Sequence, residues 1–274
     1  MDYSVGTQYE KCTVLVKVRS LKNCIIRLQV FDADRDNTYF TNRIITPKAG
    51  DIIPFQVQMP LSPRRCIVRV FDEQYGNRPQ SQENSLEVLE IKKLGLRQFL
   101  NAIDMSNYKL RVFIDFAQRF CFNAGILPTN VQGEAYCSTD PGKMFKLHYL
   151  PILVDDKGRE VPTPARVDRY TGDYEGSRAK LLDKTVPERM CILCHEYSHL
   201  NLNKDPSWEL EADLNGLTIY LALGYPRIEA IETYTQTFSE LPSEDNAFKR
   251  MPHIVDFIDN FYDMFYFNTN KKTA

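Results

Sequence analysis

Nowhere in the sequence do about 18 apolar residues follow one another, the length a helix needs to cross a bilayer, so no membrane span is expected. The start, Met1-Asp2-Tyr3-Ser4, has no basic stretch leading into an apolar one, and no export signal is expected either. An excess of one charge is also missing. Lys and Arg number 34, Asp and Glu 36, and the two signs are interspersed. That excludes the one-sided basic surface of a nucleic-acid groove, and nucleic acid is not an expected partner. Cysteine is sparse and odd in number: Cys12, Cys24, Cys66, Cys121, Cys137, Cys191 and Cys194 are too few to staple 274 residues. The expectation is reduced, mostly buried thiols and a cytoplasmic location. Internal repeats and low-complexity segments are absent.

What is present can fill a core. Apolar residues make up 43% of the chain and aromatics 12%, enough for one large domain or two ordinary ones. From about residue 10 to 95 the pattern has period two or short β-branched runs: Thr13 to Val18, Ile25 to Phe31, Ile52 to Val57, Ile67 to Phe71 and Leu86 to Ile91. Turn-rich pieces such as Asp32 to Asn37 and Tyr75 to Pro79 separate these runs, and an antiparallel β-sandwich is expected. Asp32, Asp34 and Asp36 could chelate calcium, but the run lacks the glycine and distal glutamate of a helical calcium loop. A solvated turn is the plainer reading.

A boundary is expected between residues 95 and 108, giving a sandwich over 1–98 and a second domain over 99–274. Arg111 to Phe122 reads as an amphipathic helix ended by Gly125 and Pro128. Phe145 to Val154 reads as a strand that turns at Asp155 to Gly158 and returns through Arg166 to Tyr170 as a hairpin. After Lys184 the pattern is helical, with breaks at 201–205, 224–226 and 241–243. The closing run Phe257 to Phe267 reads as a core or interface helix.

The chemistry concentrates in His195-Glu196-Tyr197-Ser198-His199. Thr185-Val186-Pro187-Glu188 upstream is a capping box with Pro in the first turn, so the motif lies inside a helix. Histidines four residues apart stack on one helix face, where both imidazoles can hold one ion. Glu196, one step round, sits beside that ion, where a carboxylate can take a proton from water. Catalytic zinc takes a third protein ligand and keeps one open position. Asp205-Pro206 predicts the start of a second helix, from about Pro206 to Leu223, carrying Glu209-Leu210-Glu211-Ala212-Asp213. Glu209 and Asp213 share a face, so Glu209 can ligate zinc while Asp213 accepts the free N–H of a ligand histidine. Glu211 points roughly 200° away.

A His-Glu-x-x-His helix followed by a Glu-x-x-x-Asp helix resembles the gluzincin metallopeptidases, and Glu-Ala-Asp with its apolar continuation resembles the Glu-helix of their Ste24/HtpX-like branch. The resemblance runs over roughly residues 145 to 265. It implies His195, His199 and Glu209 as zinc ligands, Glu196 as general base and Asp213 behind a ligand. It also implies a zincin-like mixed α/β metallopeptidase domain after the sandwich, an α+β chain overall, here without the membrane helices of that branch. The metzincin pattern would need Gly at 202 and His at 205, where this chain has Leu202 and Asp205; Asp205 remains the rival third ligand. Arg250 and His253 are the candidates for stabilising the oxyanion of a tetrahedral intermediate.

Two other readings compete. Cys191-Ile192-Leu193-Cys194-His195 fits the string of covalent haem attachment, which leaves Glu196, His199 and the second helix without a role. Small thiols packing on an apolar helix side account for both cysteines. The leading expectation is a zinc metalloendopeptidase whose polypeptide substrate lies along the Arg166 to Tyr170 edge. The alternative is a binding or assembly protein, such as a virion-associated structural component. Its zincin-like domain would be a relic, and its sandwich would dock it into a larger assembly.

Overall fold

The computed structural model describes residues 2–35, 37–76, 85–129, 134–240 and 247–268. The chain is an α+β protein that divides into two units, Met1–Arg97 and Gln98–Ala274.

Among the described residues the first unit has seven strands: β1 (Asp2–Gly6), β2 (Cys12–Ser20), β3 (Ile26–Asp32), β4 (Tyr39–Ile45), β5 (Ile52–Met59), β6 (Arg65–Asp72) and β7 (Leu86–Gly95). They form two antiparallel sheets, ordered β1-β6-β3-β4 and β5-β2-β7, the two layers of a β-sandwich. Alternation dictates the layers: Val14, Val16 and Val18 on β2 and Ile26, Leu28 and Val30 on β3 are fully buried, while the residues between them are partly exposed. Arg27 grips Glu73 through Nε and Nη2, and Arg69 grips Asp2 in the same bidentate way, both on the solvent side. At the aspartate run, Asp32 accepts the Asp34 N–H in a local turn and Asp34 pairs with Arg65 at 3.3 Å. Both carboxylates are thus used within the fold; Asp36 lies outside the described residues. β1 and β4 lie outside the runs singled out by alternation.

The second unit opens with a 3-10 turn (Leu100–Ala102) and helix α1 (Tyr108–Asn123), capped by the Asn107 side chain. A mixed sheet follows, β8 (Tyr136–Cys137), β9 (Lys146–Leu150), β10 (Ala165–Val167) and β11 (Tyr174–Ser177), in the order β10-β11-β9-β8. Helices α2 (Arg178–Leu181), α3 (Val186–Asn201), α4 (Glu209–Ala222), α5 (Arg227–Glu240) and α6 (Ala247–Asn268) complete it. On α6, Ile254, Ile258 and Phe261 are buried, and Phe99 meets the Phe261 ring edge-on, so this helix packs in the core of its unit. Among the described residues no helix is long and apolar enough to cross a membrane.

The expected hairpin is corrected here. β9 pairs in parallel with β11, and β11 stands between β9 and β10, so the strand through Arg166 returns against Tyr174–Ser177 and not against Phe145 to Val154. The turn at Asp155 closes only one bridge, Val154 with Glu160. The strand is also shorter than Arg166 to Tyr170. Asp168 accepts the N–H groups of Tyr170 and Thr171, and Gly172 takes φ +76°, so the chain turns directly after Val167.

α3 is buried on nearly every side. Tyr197, inside the motif, stacks on Phe113 with ring centroids 4.1 Å apart. Arg189, two turns before His195 and fully buried, donates to the carbonyls of Leu181, Leu182 and Cys121 at 2.8, 3.0 and 3.0 Å. It thereby ties α3 to the ends of α2 and α1, where helix carbonyls want donors. Cys191 and Cys194 are buried free thiols against neighbouring helices.

Candidate metal centre

The capping box forms as its residues dictate: Thr185 accepts the Glu188 N–H and the Glu188 carboxylate accepts the Thr185 N–H. Helical spacing then brings the Nε2 atoms of His195 and His199 to 3.0 Å, with the rings edge to face. Each ring's other nitrogen has a partner. His195 Nδ1 lies 2.8 Å from Asp213 Oδ1, and His199 Nδ1 lies 2.8 Å from the Pro206 carbonyl. Were each ring to carry its one proton on Nδ1, toward those oxygens, both Nε2 lone pairs would face the same point, as a cation between them requires.

α4 brings a third potential ligand group to the same point. Glu209 Oε2 is 3.5 Å from His195 Nε2 and Glu209 Oε1 is 3.7 Å from His199 Nε2. Tetrahedral zinc with bonds near 2.0–2.1 Å separates its ligand atoms by about 3.3 Å, so the donor set and its spacing fit. Among the described residues, His195, His199 and Glu209 form a group that could hold a metal ion.

The helix that carries Glu209 starts later than expected. α4 begins at Glu209 itself, because Asp205 turns inward on Ser207, accepting from its N–H at 2.8 Å and its hydroxyl at 2.7 Å. Asp205 therefore closes the α3–α4 loop and stands outside the cluster. Glu211 accepts the Lys204 N–H on the far side of the helix, away from the histidines. The short loop has a use in this arrangement: it delivers the Pro206 carbonyl to His199.

Arg250, from α6, completes a ring of charge. Its Nη1 lies 3.1 Å from Glu209 Oε2 and 3.0 Å from Asp213 Oδ2, so one guanidinium steadies both carboxylates that meet His195. His253, one turn on, is exposed and does not line the cleft. Burial opposes ionisation of Glu209, but His195, His199 and Arg250 outweigh it and hold the carboxyl at about 2. Burial likewise works against a charged His195, yet Asp213 and Glu209 push it up to about 10. His199 is lowered, first by burial and then by His195. Glu196, buried next to this cluster, is pushed up to about 7 by burial, with Glu209 adding and His195 and the Val167 N–H opposing.

The cluster opens into a cleft of about 320 Å³. β10, an edge strand of its sheet among the described residues, lines the cleft, and so does α5 through Tyr234, Thr237 and Phe238. Nothing in the sequence reading anticipated α5 as a wall. Gly216, also unforeseen, is the one interior glycine of α4 and lets that helix approach the backbone at Cys194 and His195. A glycine in the middle of a helix is costly, and that cost was the available signal. No family model, no curated protein and no solved structure matches this chain.

Proposed function

We propose that the protein is a zinc-dependent metalloendopeptidase. The observation that carries this reading is the convergence of His195 Nε2, His199 Nε2 and a Glu209 carboxylate oxygen, with Asp213 and the Pro206 carbonyl behind the two imidazoles. Zinc held there would supply Lewis-acid polarisation of a carbonyl and a more acidic water. The protein's own residues do the rest. Glu196, with its carboxyl poised near neutrality, accepts a proton from the attacking water and returns it to the leaving amine. Asp213 holds His195 in one tautomer, and Arg250 holds Asp213 and Glu209. Arg250 also supplies positive charge beside a developing oxyanion. An extended peptide pairs with the free edge of β10 along one wall of the cleft. The gluzincin resemblance of the two motifs supports the same assignment.

The test is metal analysis joined to proteolysis. Purified protein is expected to carry about one zinc per chain and to cleave an unfolded polypeptide, while Glu196→Gln keeps the zinc and loses cleavage. Folded protein that takes up no zinc would overturn the proposal.

One observation favours a second reading, a binding or assembly protein: every residue lining the cleft comes from Gln98–Ala274, and the sandwich contributes none. If Glu196→Gln had no effect in the native setting while deletion of the sandwich did, that reading would replace the first.

A further inference from the structure

We infer that Arg169, at the mouth of the cleft, binds an acidic side chain of the polypeptide and makes the protein select Glu or Asp near the bond it cuts; the inference rests on the peptidase reading of that cleft. Three arginines line the cleft. Two of them are spent within the fold: Arg166 on Glu175 and the Val154 carbonyl, and Arg250 on Glu209 and Asp213. Arg169 is exposed, and among the described residues its guanidinium makes no ion pair or hydrogen bond.

The backbone under Arg169 is fixed while its side chain is not. Asp168 accepts the N–H groups of Tyr170 and Thr171 at 2.7 and 2.9 Å. The Asp168 carbonyl accepts from Gly172 at 2.8 Å, and the Asp168 N–H donates to the Asp173 carbonyl at 2.9 Å. Arg169 thus starts from a closed turn at the end of β10. Its charge is felt across the cleft, on the loop between α3 and α4 and on α3 itself. The Asp205 carboxyl is lowered first by its bonds from Ser207 and further by Arg169, and His199, lowered chiefly by burial, feels the same cation. The guanidinium therefore stands on the His199 side of the opening.

The chemistry of its partner follows from the charges around it. Glu196, Glu209 and Asp213 line the inner cleft, and the one cation among them there, Arg250, is already shared by two carboxylates. An anionic side chain finds an unspent counter-charge only at the mouth. A guanidinium meets a carboxylate through two parallel N–H bonds, an amide gains less, and an ammonium is repelled. Arg169 comes two residues after Val167, whose N–H bears on the Glu196 carboxylate. Two residues span at most about 7 Å, so a peptide lying along β10 brings a side chain within about three residues of the cut bond into reach of Arg169.

Binding of labelled peptides, blocked at both ends, to the Glu196→Gln protein supplied with zinc tests the inference without cleavage. Glu, Gln or Lys is placed in turn at each position of one neutral host sequence. At one position, or two neighbouring ones, Glu should bind about fivefold more tightly than Gln, and Lys more weakly than either. The preference should shrink as salt is raised. Arg169→Gln should bring the Glu and Gln affinities together without weakening the Gln peptide, and Arg169→Glu should turn the preference to Lys, a reversal that a merely structural role for Arg169 does not produce. Equal affinities for Glu and Gln at every position, no binding by any peptide, or a Glu preference that survives Arg169→Gln overturns the inference. Zinc content and cleavage by the unmutated protein report separately on the peptidase reading. Cleavage without a Glu preference leaves that reading standing, and a Glu preference that follows Arg169 in a protein without zinc or cleavage removes only the peptidase.

Discussion

Gly216 lets α4 run so close to α3 that a Cβ at this position would meet the backbone nitrogen of His195 at 2.8 Å. The same Cβ would stand 2.9 Å from the carbonyl carbon of Cys194. The obstruction is backbone, which cannot rotate aside. This approach puts Asp213, one turn earlier on α4, within 2.8 Å of His195 Nδ1.

Gly216→Ala should therefore lower both stability and zinc affinity. Alanine gains about 1 kcal/mol in helix propensity, but overpacking against a fixed backbone costs about 1–3 kcal/mol, and the second effect prevails when the whole of α4 must shift. Thermal unfolding and a zinc titration check this. Unchanged values for both would show that the helices have room to spare.

Asp213→Asn should weaken zinc binding by about 10- to 100-fold with the fold intact. The amide keeps the shape but loses the charge that fixes the His195 proton on Nδ1, and it releases Arg250 from one of its two carboxylates. Competition against a chromophoric chelator measures the loss; affinity equal to the parent's would remove Asp213 from the metal centre.

The capping box carries a pH dependence. Burial, with Glu229 adding, pushes the Glu188 carboxyl up to about 7, above its ordinary 4.5. The folded state thus holds the proton longer than the unfolded chain, so stability falls as pH rises from about 4.5 to 7, by roughly 3 kcal/mol in all. Glu188→Gln keeps an acceptor for the Thr185 N–H and removes the titration. The lost attraction of a charge to the helix N-terminus, about 0.5 kcal/mol, is smaller. The variant should be more stable than the parent at pH 8 and lose its advantage below pH 4.5, as read from unfolding midpoints across that range.

Arg189→Met should cost about 3 kcal/mol, because two buried carbonyls and one part-buried carbonyl lose their donor at about 1–3 kcal/mol for each buried one, while the methionine recovers only part of the packing. Burial lowers the Arg189 pKa, and the cation is held by helix-end carbonyls at 2.8–3.0 Å. Urea unfolding gives the number. A loss below about 1 kcal/mol would mean that water or neighbouring side chains replace the guanidinium.

Local patterns were legible where one residue type answers to one physical demand. Alternation marked the sandwich core, and Thr185 with Glu188 marked the start of α3, because a helix N-terminus has orphan donors that only such side chains satisfy. The hairpin through Arg166 was misread for the opposite reason. A strand's partner depends on which strand reaches it, and Tyr174 to Ser177 is too short and too poor in β-branched residues to announce itself. Asp205 looked like a helix cap by type, yet Ser207 offered its carboxylate a nearer pair of donors.

By itself the sequence determined that His195 and His199 share a helix face and that Glu209 and Asp213 share another, since helical spacing alone decides which side chains stand together. Tertiary structure alone decided that the two faces meet. That needed Gly216 to close the gap between helices, the Pro206 carbonyl to orient His199, and Arg250, from 37 residues beyond Asp213, to hold the two carboxylates. Long-range packing of this kind leaves no periodic trace, because each contributor answers to a neighbour in space and not to one in the chain.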